Sequence, residues 1–352
     1  MNDKGLTLSP ITRALASFAL VGFVLALLRL FSVVLAPVFF AFFLAALALP
    51  VFHWLQRKGI KRGLALLLLV VFLLIAGIGL ILLVLVSVER LQSGLTLYTD
   101  QLSARMAELT AALANSGVDL TALSETAASL SSAALGGLVG AIANAASNAL
   151  VSLVIVIFFL LESHRFEEII RSNAVIGRPI LSQLPAVAGT AVKYFAIRSR
   201  LNLITGVGVT LLCLVLGVDY APLWGVLAFF LSYIPYIGLA TAMIPPAILA
   251  LAEFGWLQAA IIVIGITALN MLIENVLEPG YTGKRLQLSP TIVFISFFFW
   301  AWLLGPVGAL LSMPITVLLV LVFQGNESTQ WLARIMGNEP AGATSDVTTP
   351  AS

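Results

Sequence analysis

Long apolar runs with short polar interruptions set the pattern of this chain. A helix needs roughly 20 apolar residues to cross the ~30 Å hydrocarbon core of a bilayer. Runs of that kind lie at about Ile11–Leu35, Ala36–Leu55, Gly63–Val88, Gly136–Leu161, Leu201–Leu216 and Trp256–Leu277. The first two are almost contiguous, with Pro37 and Pro50 bracketing the second, so they predict a tight helical hairpin. Four cations in the seven residues Gln56–Arg62 mark the next turn as cytoplasmic.

Two stretches break the pattern without leaving it. Residues 222–252 are apolar but interrupted at Ile234-Pro235-Tyr236-Ile237-Gly238 and again at Pro245-Pro246. Residues 290–324 repeat the interruption at Gly305-Pro306-Val307-Gly308 and at Pro314. Proline removes a backbone donor and clashes with the preceding turn. Within a bilayer, irregular backbone must be buried in protein or line an aqueous cavity. Pro235, Gly238, Pro245, Pro246, Gly305, Pro306, Gly308 and Pro314 are therefore the expected broken-helix elements. Short Gly/Pro-interrupted segments at corresponding places in two halves point to a transporter's binding site.

Residues 89–135 carry a different periodicity. Leu91, Leu95, Tyr98, Leu102, Met106, Leu109 and Leu113 recur at steps of three or four, the stripe of an amphipathic helix. With a second, Ala/Ser-rich stretch they read as a pair of extramembrane helices that pack on each other or on a neighbouring subunit. Residues 162–200 are again charged and amphipathic, as expected of cytoplasmic helices at the inner interface.

Composition fixes the class. The 352 residues are 61% hydrophobic and only 10% charged, with mean hydropathy +1.09. Roughly 25% charged residues would be usual in a soluble domain. Eighteen Lys+Arg against 16 Asp+Glu leave no basic excess for nucleic acid. One cysteine, Cys213, excludes an internal disulfide, and two histidines, His53 and His164, speak against a His-rich metal site. The fold class is an all-α polytopic membrane protein of six to eight transmembrane helices with two Pro/Gly-broken segments.

Charge also bears on topology. If both broken segments span, Lys and Arg divide 13 inside to 4 outside with the N-terminus cytoplasmic. If both re-enter as hairpins the division becomes 15 to 2 and the two halves form an inverted repeat. The positive-inside rule favours the second. The organisation expected is a three-span frame over residues 1–88, an extracytoplasmic insert over 89–135, a fourth span with cytoplasmic helices over 136–198, a transport core over 199–324, and a disordered tail over 325–352.

Few residues carry candidate chemistry. Asn270, Glu274 and Glu278 share a helical face at four-residue steps. A carboxylate at membrane depth costs at least ~2.5 kcal/mol on insertion scales. Glu274, Asn270 and Asn275 are the candidate substrate- or ion-binding residues, with Na⁺ or H⁺ as a possible coupling ion. The alternative is that Glu274 and Glu278 lie at the interface and pair with Lys284 or Arg285, which is the favoured role for Glu278. Arg29 is read as snorkelling to the headgroups. Asn144, Ser147 and Asn148 suit hydrogen bonds between helices. No HExxH, GxSxG or GxxxxGK[ST] pattern is present, so neither an enzyme nor an ATP-driven pump is expected.

In order along the chain, Ile234-Pro235-Tyr236-Ile237-Gly238, Glu274-Asn275 with Glu278-Pro279, Gly283-Lys284-Arg285 with Leu288-Ser289-Pro290, and Trp302-Leu303-Leu304-Gly305-Pro306-Val307-Gly308 through Pro314 resemble the autoinducer-2 exporter (AI-2E) family. The resemblance covers about residues 8–325. It implies a multi-pass transporter of the bacterial inner membrane without ATPase modules and with a homo-oligomeric assembly. It also implies export of a small polar solute such as autoinducer-2, or Na⁺(Li⁺)/H⁺ antiport. Pro279-Gly280 departs from the family's Pro-Lys or Pro-Arg. A non-transporting membrane scaffold acting through residues 89–135 is the remaining alternative; the bilayer itself is the one partner every reading shares.

Overall fold

The computed structural model describes residues 9–114, 133, 136–137, 139–146, 149–158, 178–234, 237–278, 288–324 and 329–337. Its elements are α1 (Pro10–Leu30), α2 (Ser32–Arg57), α3 (Arg62–Ala114), α4 (Val139–Phe158), α5 (Arg178–Val215), α6 (Ala221–Leu231), α7 (Gly238–Phe254), α8 (Trp256–Leu272), α9 (Pro290–Leu304), α10 (Pro306–Gln324) and α11 (Gln330–Met336). Among the described residues seven helices are long and apolar enough to cross a membrane. Phe18, Val33, Ile75 and Val215 are each at least 70% exposed, as side chains meeting lipid would be.

The first differences from expectation lie in α3. The third span and the first part of the insert form one 53-residue helix. At 1.5 Å per residue it is about 80 Å long, far more than a bilayer core needs. Nothing between Val88 and Leu91 stops a helix, because no proline or glycine falls there. The amphipathic stripe then packs within the chain: Leu91, Tyr98 and Leu102 are buried in the core cluster that also contains Leu223, Trp224, Leu249 and Ala250. That burial answers for the first half of the insert; its second half, residues 115–135, lies almost wholly outside the described residues.

Each broken segment folds back on itself. α6 and α7 pack as a hairpin around a break at Ser232–Ile237, and α9 packs against α10 around Gly305. The residues entering and leaving the first hairpin meet at one end. Asp219 and Tyr220 lie under Tyr98, whose hydroxyl donates to Asp219 Oδ2 at 2.8 Å. Gly217 faces the ring of Phe254, and Gly255 faces the guanidinium of Arg105. In the second hairpin Leu288 pairs with Gly337 as an isolated antiparallel bridge, and the Ser289 N–H donates to the Met336 carbonyl at 3.1 Å. The latter contact corrects the expected tail: residues 330–336 form α11, ordered by Leu288–Ser289 and by packing on α10.

The helix preceding each hairpin supplies the symmetry. α5 and α8 run antiparallel, with Gly208 against Leu269 and Gly265 against Leu212. Each glycine accepts the leucine of the other helix, so the same Gly-x-x-x-Leu pattern serves both. The first mouth lies at the Val215/Trp256 end of this pair, and the second hairpin follows α8 in sequence as the first follows α5. Each unit is a helix followed by a returning hairpin, and the two leading helices run in opposite directions.

Pro245, Pro246 and Pro314 lie inside continuous helices and make no break. They are buried, so neighbouring helices surround the backbone they disrupt. The breaks themselves fall between Leu231 and Gly238 and at Gly305, whose φ of 67° suits glycine.

Candidate functional site

Gly238 and Gly308 shape the hairpin tips. A Cβ on Gly238 would fall 1.8 Å from the Leu231 carbonyl oxygen, and one on Gly308 would fall 1.9 Å from that of Trp300. Only glycine lets the returning arm approach the outgoing one so closely. Tyr233, buried at the first tip, is held edge-on by Phe43 of α2 with ring centroids 5.0 Å apart, and its hydroxyl meets Ser199 Oγ at 2.7 Å.

A break strands carbonyls, and an arginine answers at each tip. Pro306 has no N–H to offer the Trp302 carbonyl four residues earlier. Arg29 Nη1 of α1 donates to that oxygen, so Arg29 caps the second tip. At the first tip Arg198 Nη2 donates to the Ser232 carbonyl at 2.7 Å, while its Nη1 donates to Glu278 Oε2 at 3.0 Å. Arg198 is therefore a structural brace between α5, the first tip and the end of α8. Glu278 has the pairing role expected of it, but with Arg198; Lys284 and Arg285 lie outside the described residues.

Beyond Leu272 the helix widens into a π turn, Ile273–Leu277, in which the Glu278 N–H bonds to the Ile273 carbonyl. Such turns re-aim side chains and are frequent at functional sites. Here Glu274 faces a cavity of about 210 Å³. Arg198, Asn202 and Thr205 of α5, Ser232 and Ile234 of the first tip, Leu239, Ala240 and Met243 of α7, and Ile266, Thr267, Asn270, Ile273 and Glu274 line it. The volume falls below the ~300–1,000 Å³ of drug-sized pockets, so the occupant it admits is small.

Two of the three predicted binding residues, Asn270 and Glu274, thus meet at one cavity. Asn275 does not line it and is exposed on the other side of the π turn. Pro235 lies outside the described residues, although Ser232 and Ile234 beside it form part of the wall. Sequence reasoning missed Arg198, Asn202 and Thr205. They stand at i, i+4 and i+7, a polar stripe on one helical face, but their charge and position also suit an interfacial helix.

The polar wall is unevenly satisfied. Thr205 Oγ1 donates to the Leu201 carbonyl at 3.1 Å and Ser232 Oγ to that of Ala228 at 2.5 Å. Asn202 is 2% exposed, yet its Nδ2 has no acceptor among the described residues. Among the described residues no cation forms an ion pair with Glu274 either.

Antiparallel helices, paired returning hairpins and a polar cavity at the tip of one of them define a multi-pass membrane transporter. The model of the AI-2E family transporter matches residues 15–325. "AI-2 transport protein TqsA" of Escherichia coli K12 is 28% identical over 88% of this chain and 91% of its own length. A Haemophilus influenzae protein named "Putative transport protein" is 31% identical over 93% of this chain and 96% of its own length. The chain belongs to the AI-2E family of transporters.

Proposed function

We propose that the protein is a secondary transporter of the bacterial inner membrane that exports a small polar solute such as autoinducer-2 through the cavity at the first hairpin tip. The observation that carries this reading is the meeting of Asn270 and Glu274 with Ser232 at the break of the α6–α7 hairpin. Substrate sites of inverted-repeat transporters occupy that kind of position, and access alternates as one repeat rocks against the other. Transport rather than catalysis is the role, and a homo-oligomer with cytoplasmic N-termini is the expected assembly. TqsA, by its name, transports AI-2, which supports the choice of first solute to assay.

A second reading, Na⁺(Li⁺)/H⁺ antiport, is favoured by the carboxylate of Glu274, which no cation neutralises among the described residues. One carboxylate serving two ions by competition is sufficient chemistry for antiport. Membership of a transporter family argues against the scaffold alternative. The test is solute efflux and Na⁺-driven proton flux in proteoliposomes, with wild type beside Glu274→Gln. Loss of both fluxes supports one ion-coupled site. Loss of proton flux with intact solute export separates the two activities, and no flux of either kind in the wild type overturns the transport reading.

A further inference from the structure

We infer that Asn202 is the residue by which this cavity selects its occupant: its amide donates to an oxygen of an uncharged solute, while Arg198 positions the wall and binds nothing. The inference rests on the transport reading of the same cavity.

A buried amide N–H₂ without an acceptor costs free energy, roughly 1–3 kcal/mol, unless something comes to meet it. Asn202 is 2% exposed, it lines the cavity, and its Nδ2 is unpartnered. A leucine there would carry no such cost. The donor is therefore held ready for an acceptor that arrives from outside, such as a hydroxyl, ether or carbonyl oxygen.

Charge bookkeeping gives the second half of the argument. Among the described residues Arg198 is the only cation lining the cavity, and it is committed elsewhere: Nη1 to Glu278 and Nη2 to the Ser232 carbonyl. Glu274 faces the same space without an ion pair among the described residues. The described wall thus carries a net negative charge when Glu274 is ionised. An anionic solute meets that carboxylate in a medium of low dielectric, where like-charge repulsion is strong. An uncharged solute with both a donor and an acceptor satisfies Glu274 and Asn202 together. Sites built to hydrogen-bond a substrate reject analogues that lack the matching group, because the wall is then left unpaired.

Asn202→Leu in the full-length protein tests this, because leucine keeps the volume and removes the donor. Purified wild type and variant are titrated with autoinducer-2, with glycerol and erythritol as uncharged probes, and with glycerate as the anionic analogue, reading the shift in thermal unfolding. The expected result is a wild type that binds an uncharged probe at least tenfold more tightly than glycerate. Asn202→Leu unfolds at or above the wild-type temperature without solute and loses about tenfold in affinity for that probe. Asn202→Asp, which replaces the donor by an acceptor, loses at least as much. Unchanged affinity in Asn202→Leu overturns the role of Asn202 while leaving the transport reading intact. A lowered unfolding temperature without solute overturns it too, since the amide would then hold the fold. Tighter binding of glycerate overturns the charge argument, and no binding of any probe to wild type overturns the inference, with the proteoliposome efflux assay then deciding separately whether the protein transports.

Discussion

Replacing Gly238 or Gly308 by alanine adds one carbon where the structure has no room for it. The new Cβ would stand 1.8 Å from the Leu231 oxygen in the first case and 1.9 Å from the Trp300 oxygen in the second. Contacts of carbon under 3.0 Å essentially never occur, so the two arms of each hairpin would have to part by about 1.2 Å or 1.1 Å. The obstacle is a main-chain carbonyl, which cannot rotate away as a side chain can. The Leu231 carbonyl already accepts from the Ile234 N–H at 2.8 Å, and the Gly238 N–H donates to the Ile234 carbonyl at 3.0 Å. Parting the arms strains both bonds. Overpacking a filled interior costs about 1–3 kcal/mol, and a rigid backbone obstacle places these two variants at the upper end, about 3 kcal/mol each. Gly79 is the control: it lies in α3, nothing approaches its Cβ position within 4 Å, and alanine in a helix interior gains up to ~1 kcal/mol over glycine. Thermal unfolding of the purified proteins in one detergent should lower the midpoint for Gly238→Ala and Gly308→Ala while leaving Gly79→Ala level or raised. Wild-type unfolding of either tip variant would refute the hairpin geometry on which the site rests.

Other outcomes follow from the same contacts. Gly305→Ala should destabilise by about 1–3 kcal/mol although its surroundings are open, because the φ of 67° is the obstacle there; a neutral unfolding midpoint would contradict it. Arg198→Lys should lower stability by about 1 kcal/mol, since an ammonium lacks the planar fork that serves Glu278 and the Ser232 carbonyl together; chemical denaturation reads this, and equality with wild type would remove the bracing role. In a Cys213→Ala background, a cysteine at Phe254 and one at Gln330 should react with an impermeant thiol reagent from opposite faces of the membrane, because α5 and α8, which lead into the two hairpins, run antiparallel. Labelling of both from one face would refute the inverted repeat.

How much of this was readable beforehand depended on whether a signal was local. The spans were legible because a bilayer demands an apolar run of set length. The breaks between α6 and α7 and between α9 and α10 were legible because glycine and proline act on their own backbone. Pro245, Pro246 and Pro314 misled for the same reason: whether a proline breaks a helix depends on what surrounds it, and these three are buried. The junction at residue 88 misled in another way. A change from all-round apolar to striped periodicity marks a change of environment, but α3 passes through it without interruption. At the site, Asn270 and Glu274 stood out against apolar neighbours. Asn275 stood out equally, and only the π turn decides that it points elsewhere. Asn202 had no such contrast, since it follows the charged run ending at Arg200. The matching Gly208-x-x-x-Leu212 and Gly265-x-x-x-Leu269 were visible all along but had no meaning until α5 and α8 were known to face each other.

The two arginines show why the sparse charges of such a chain resist reading in one dimension. Arg29 looked like a snorkelling residue and Arg198 like one charge of an interfacial cytoplasmic helix, and both readings follow from local context. Yet a helix broken within a membrane leaves carbonyls that water cannot reach, and satisfying them is obligatory. Arginine suits the task because it stays charged and presents several donors in a fixed fork. The cation that answers each break comes from another helix: Arg29 lies 273 residues from Trp302, and Arg198 lies 34 from Ser232. A break and its cap are therefore one structural unit written at two distant places. The cap at the first tip has a functional consequence that the second does not share. By binding Ser232 and Glu278, Arg198 withdraws its charge from a cavity that Glu274 also faces, and so leaves that cavity suited to an uncharged or cationic occupant.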